Sequence, residues 1–121
     1  MRLLLDTHTL MWAVDHPALL GSQAKAALED LSNSLLLSAA TIWEIAIKVG
    51  TKKLDLSLPY RQWMIQAMSD LNVTILHVTV EYADVQAGLY PYHRDPFDRL
   101  IVAQSLYEQI PIVSVDPQLD A

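Results

Sequence analysis

The chain is predicted to be an α/β protein built on a central, mostly parallel sheet. Three observations carry this expectation. Four short runs rich in Leu, Ile and Val, at residues 2–5, 34–37, 73–76 and 111–115, show no clean polar alternation. Strands of that kind are covered on both faces. Longer helical patterns separate them, and strands alternating with helices require crossover connections that leave neighbouring strands parallel. Finally, 121 residues that are 52% hydrophobic with only three glycines suit one compact domain with a real core.

Taken in order, the strand at 2–5 is followed by Asp6 and a helix beginning near His8. Residues 22–31 are polar with apolar teeth at Ala24, Ala27, Leu28 and Leu31, a surface helix. After the second strand, residues 41–49 are apolar almost all round and are expected to be deeply buried. Residues 60–71 and 79–89 have amphipathic patterns, and His77 closes the third strand. The stretch 89–94, with two tyrosines around Pro91, reads as a loop. The last long helix, 96–109, opens with Asp95-Pro96, an N-cap followed by proline at the first helical position.

The composition removes several classes of function. With no cysteine there is neither a disulfide framework nor a thiolate metal site. Arg2 precedes only three leucines and an acid, too short an apolar stretch for a secretory signal. No apolar run approaches the ~20 residues of a membrane helix. The expectation is a cytoplasmic protein without a membrane partner. The net charge of −6 does not announce a nucleic-acid binder. The basic residues are uneven, however: Lys48, Lys52 and Lys53 form one group, Arg94 and Arg99 another, each beside an acid discussed next.

Four acids fall at one edge of the predicted sheet. In open parallel sheets, ligands bind outside the carboxyl ends of the strands. Asp6 and Asp116 directly follow the first and last strands, and Glu44 lies in the first turns of the helix leaving the second. The helix holding Asp98 feeds back into the last strand, so it begins at the same edge, with Asp98 in its first turn. Each has an ordinary structural explanation. Asp6 suits a helix cap, Asp98 complements a helix dipole, and Asp116-Pro117 makes a turn. Glu44 is harder to explain in this way, because it sits in Ile42-Trp43-Glu44-Ile45-Ala46-Ile47, where an unpaired buried carboxylate is costly. Lys48, at i+4, offers a salt bridge as the structural alternative.

Clustered carboxylates repel one another unless protonated or bridged by a cation. Oxygen-only ligands favour Mg²⁺ or Mn²⁺ over zinc, and the four histidines lack the spacing of a zinc protease. His8 and His93 lie near the acids without a ligand pattern. A carboxylate-held cation activates water for phosphodiester hydrolysis, with Arg94, Arg99 or Lys48 available to flanking phosphates.

The sequence resembles the PIN-domain nucleases, in particular VapC-like toxins of toxin–antitoxin pairs. Leu3-Leu4-Leu5-Asp6-Thr7-His8 is similar to the family's opening strand and first acid. Trp43-Glu44-Ile45-Ala46-Ile47-Lys48 is similar to its second acidic motif. His93-Arg94-Asp95-Pro96-Phe97-Asp98-Arg99 followed by Ile101-Val102-Ala103-Gln104 is the most specific segment, and Ser114-Val115-Asp116 matches the closing Ser/Thr-x-Asp. The resemblance implies a three-layer PIN-like sandwich with four to five strands over residues 1–121. It implies a Mg²⁺- or Mn²⁺-dependent endoribonuclease acting on RNA, with Asp6, Asp98 and Asp116 as metal ligands. Glu44 would bind metal or orient its water, and Thr7 and Ser114 would support the site by hydrogen bonds. A cognate antitoxin and a homodimer are also implied, with Met11, Trp12, Trp63 and Met64 as interface candidates where core packing does not claim them. The family pattern continues past the last acid into a helix and a fifth strand, so the usual C-terminal strand is expected to be missing here.

Two other readings stay open. A catalytically silent protein-binding module would retain the fold without binding metal. A phosphatase- or receiver-like domain would make Asp6 a phosphate acceptor, although the second acid that a phosphatase needs two residues on is replaced by His8.

Overall fold

The computed structural model describes residues 1–89 and 95–114. Asp116, Arg94 and His93, together with Val115 of the predicted last strand, lie outside the described residues, as does any strand beyond Asp116.

Four parallel strands form the sheet among the described residues: β1 (Arg2–Leu5), β2 (Ser34–Ser38), β3 (Thr74–Leu76) and β4 (Ile112–Val113). Their order is β3-β2-β1-β4. The chain moves from β1 outward through β2 to β3, then returns to place β4 on the other side of β1. The carboxyl ends of β1 and β4 therefore flank the point where the strand order reverses, the usual position of a ligand crevice in such sheets.

Successive side chains on β1 serve opposite layers, as the pleat requires. Leu3 and Leu5 join Leu10, Leu35, Leu37, Ile45, Trp63, Met64 and Ala67 in the larger core. This core is covered by α1 (Thr7–Asp15), α3 (Ala39–Gly50) and α4 (Tyr60–Leu71). Leu4 and Leu36 face the other way, toward Ile101 of α6 (Pro96–Glu108) and Ile110. Tyr82 of α5 (Val80–Ala87), Ala40 and Leu100 form a third apolar contact that joins α3, α5 and α6. The result is the three-layer α/β sandwich expected from the sequence.

The elements match expectation closely, with instructive departures. The surface helix α2 (Ser22–Glu29) stops before Leu31, which is fully exposed rather than an apolar tooth. Asp30 accepts hydrogen bonds from the Ser32 backbone N–H and hydroxyl, a local turn that competes with further helix. Trp63 and Met64, weighed as interface candidates, are core residues. Met11 and Trp12 are half-buried. The expectation of deep burial for α3 is corrected: Thr41, Glu44 and Ile45 are buried, but Trp43 is 65% exposed and Ile47 is also exposed. One flank of the helix packs inward and the other meets solvent. Among the described residues, no helix is long and apolar enough to cross a membrane.

Candidate metal centre at the carboxyl edge

Asp6 is a helix cap, and that role leaves it open to serve as a site carboxylate as well. It is only 2% exposed. Its extended backbone places it at the N-cap of α1, where Oδ1 accepts the Thr9 N–H at 2.7 Å. Its other oxygen, Oδ2, accepts the Ser114 hydroxyl at 2.7 Å. The backbone clamps this arrangement: Asp6 N–H donates to the Val113 carbonyl at 3.1 Å and the Thr9 hydroxyl to the same carbonyl at 2.9 Å. Asp6 is thereby fixed at the reversal point between β1 and β4.

Glu44 is equally buried and equally well oriented. Oε1 accepts the Thr7 hydroxyl at 2.7 Å and Oε2 accepts the Lys48 ammonium at 2.6 Å. Because an ionised carboxylate only accepts, the Thr7 proton goes to Glu44. Thr41 is then the donor in the 3.2 Å hydroxyl contact between the two threonines. Thr41, Glu44 and Lys48 thus form a polar stripe at helical spacing on an otherwise apolar helix.

The salt bridge considered for Glu44 from spacing alone is present, and Lys48 is its cation. Burial pulls the Lys48 ammonium toward lower pKa. The Glu44 carboxylate, through hydrogen bond and charge, and then Asp95 and Asp98 outweigh burial and leave Lys48 above its ordinary value of 10.5. Lys48 therefore feels acids from both α3 and the start of α6. Asp98 lies in the first turn of α6, half-buried, with its N–H donated to Asp95 Oδ1 at 3.2 Å. Asp95 also accepts the Phe97 N–H at 2.8 Å, and acts as the N-cap expected of it.

Asp6, Thr7, Glu44, Lys48, Asp98 and Ser114 therefore gather at one edge, while Asp116 and Arg94 lie outside the described residues. Arg99 Nη2 donates to the carbonyls of Gln86 at 3.1 Å and Leu89 at 3.3 Å. These bonds join the end of α5 to α6. Sequence reasoning missed Thr9 and Thr41. The signals for them were a threonine three residues after a capping acid and the Thr41/Glu44/Lys48 stripe.

Among the described residues, no three acids or histidines stand close enough together to hold a metal ion. The donor chemistry nonetheless fits a hard divalent cation, because both buried carboxylates are anchored by hydroxyl or N–H donors. Each oxygen named above receives one such bond and carries a second lone pair.

The PIN domain family model matches residues 3–121. A chain in the crystal structure of VapBC2 from Rickettsia felis bound to a DNA fragment from their promoter has a similar fold, with a TM-score of 0.68. The two are 18% identical, and the match covers 99% of this chain and 92% of that one. No curated protein matches in sequence. With the family's pattern running from the first strand to the end of the chain, this protein belongs to the PIN-domain family.

Proposed function

We propose that residues 1–121 act as a single metal-dependent endoribonuclease domain, the toxin of a toxin–antitoxin pair. The observation that carries this reading is the burial of two carboxylates, Asp6 and Glu44, each held by hydroxyl donors at the ligand-binding edge of the sheet. Two acids kept this dry in a protein with exposed surface to spare have a use for their charge. Family membership supports nuclease chemistry, and the oxygen-only donor set favours Mg²⁺ or Mn²⁺.

Asp6, Asp98 and Asp116 would hold the cation, with Glu44 as a further ligand or as the group that orients water. The bound cation would supply a water of lowered pKa and neutralise charge developing on the phosphate. This chain's own residues prepare that chemistry. Ser114 and the Thr9 N–H fix the two oxygens of Asp6. Thr7, itself held by Thr41, fixes Glu44. Lys48 neutralises Glu44 and is a cationic side chain available to an incoming phosphate. The VapBC2 neighbour, solved as a complex, supports a cognate antitoxin protein as partner. A homodimer and a cytoplasmic setting complete the proposal.

Mn²⁺ titration calorimetry on the chain and on Asp6→Asn, paired with cleavage of a labelled single-stranded RNA, tests it. Binding and cleavage that both disappear in Asp6→Asn are the expected result. Well-folded protein that neither binds Mn²⁺ nor cleaves RNA would leave a silent protein-binding module as the better reading. Transfer of a phosphoryl group to Asp6 from a phosphodonor would instead support the phosphatase-like one.

A further inference from the structure

An indole that is 65% exposed stands immediately before the buried Glu44. Trp43 is held there by Phe97, whose ring meets it edge to face with centroids 5.6 Å apart and planes at 80°. Phe97 in turn immediately precedes Asp98. Each ring is thus anchored beside an acid of the site, one on α3 and one at the start of α6. A T-shaped contact fixes the orientation of an indole while engaging only part of its surface. The remainder of Trp43 faces solvent.

Charge argues for what such a surface would meet. The chain carries 14 acids against eight lysines and arginines, so long-range attraction for a polyanion is absent. Near the site, Lys48 is paired with Glu44 and sits in the field of Asp95 and Asp98, and Arg99 donates to backbone carbonyls. With the phosphate met by a bound cation and few side-chain charges, an acidic protein that grips a single-stranded nucleic acid gains by drawing further affinity from the bases. Every base has a π-face, and an exposed, pre-oriented aromatic is the group that binds it.

We infer that Trp43, braced by Phe97, is a stacking platform for an unpaired nucleobase next to the scissile phosphate. This rests on the nuclease reading above and adds to it the side chain that holds an unpaired base. Duplex RNA keeps its bases stacked inside the helix and cannot offer a face to Trp43 without melting. The platform binds substrate and selects its strandedness; it moves no proton.

The test is binding of a single-stranded hexaribonucleotide to the full chain carrying Asp6→Asn, so that the RNA stays intact, followed by intrinsic fluorescence. Trp63 is fully buried and Trp12 half-buried, so the quenching that belongs to Trp43 is read as the difference from Trp43→Phe. Trp43→Ala is expected to weaken binding by roughly tenfold or more, while Trp43→Phe retains most of it. A hexamer with abasic positions should bind the Trp43 protein more weakly and Trp43→Ala no worse than the intact hexamer does. In the parent background, the loss should appear in KM and leave kcat nearly unchanged. Intact RNA bound equally well by Trp43→Ala overturns the inference while the nuclease reading stands, and so does a variant that loses only a protein partner. RNA bound by neither protein overturns the inference, and it removes the nuclease reading too where the parent chain also fails to cut RNA.

Discussion

The two edges of the sheet hold similar groups to opposite effect. At the carboxyl edge, Glu44 is 2% exposed and is paired with a flexible lysine whose side chain is 30% exposed. At the amino edge, Glu108 closes α6, with one oxygen accepting Arg2 at 3.1 Å and the other the Tyr82 hydroxyl at 2.7 Å. Arg2 is half exposed there and Glu108 about one-fifth. Water screens the amino-edge pair, so its net worth is small. The carboxyl-edge acid is out of water, so its cation matters far more, and an ammonium on a four-carbon stem can be displaced. Burial, more than residue type, separates a brace from a site.

Removing the buried cation should have the largest effect on stability. Lys48→Met leaves Glu44 buried without its partner and is expected to cost about 3 kcal/mol in urea unfolding, part of which Mn²⁺ should restore if it binds at this edge. Equal stability of Lys48→Met and parent would mean that the bridge contributes nothing net to the fold. Next comes Thr7→Val, which removes the donor to Glu44 Oε1 and strands the Thr41 hydroxyl. A loss of about 1–3 kcal/mol is expected from the unsatisfied groups, with Mn²⁺ affinity down by roughly 10–100-fold. Calorimetry on a variant with unchanged circular dichroism checks the second part.

At the amino edge the expected effects shrink. Tyr82 is pushed up to about 12 by burial and then by the Glu108 carboxylate. A phenol whose folded pKa is raised contributes stability that is complete below its ordinary value of 10 and is lost as pH rises toward 12. Tyr82→Phe should cost about 1 kcal/mol at neutral pH and flatten the fall in stability across that alkaline window. Denaturation at pH 8 and pH 11 distinguishes the two slopes. Arg2→Ala should cost least, about 0.5 kcal/mol and less in high salt. A loss as large as that of Lys48→Met would erase the contrast between the edges.

The alternation of strands and helices was legible because it rests on local patterning. Both faces of β1 are covered, and Arg2–Leu5 is a run of leucines after one arginine. Asp95-Pro96 signalled the start of α6 because a cap and a fixed proline φ act within a few residues. That Asp6, Glu44 and Asp98 stand on elements beginning at one edge followed from topology, since strand direction determines where each helix begins, although among the described residues no three acids lie close enough to hold a metal ion. The bonds from Arg99 to Gln86 and Leu89 were not legible, because these carbonyls lie 13 and 10 residues away across a helix pair. Apolar residues all around 41–49 suggested burial on every side, but composition cannot tell a fully enclosed helix from one with a solvent-facing flank such as Trp43 and Ile47.

By itself, then, the sequence determined the α/β class, the order of elements and the edge on which the acids stand. All of these depend on short-range preferences and on the handedness of the chain. Only the tertiary structure decided that the Thr7 hydroxyl belongs to Glu44, that Ser114 belongs to Asp6, and that Trp43 faces outward. Those contacts join residues 37 and 108 positions apart. They arise where packed layers bring distant segments within a hydrogen bond of one another, and no local pattern encodes that distance.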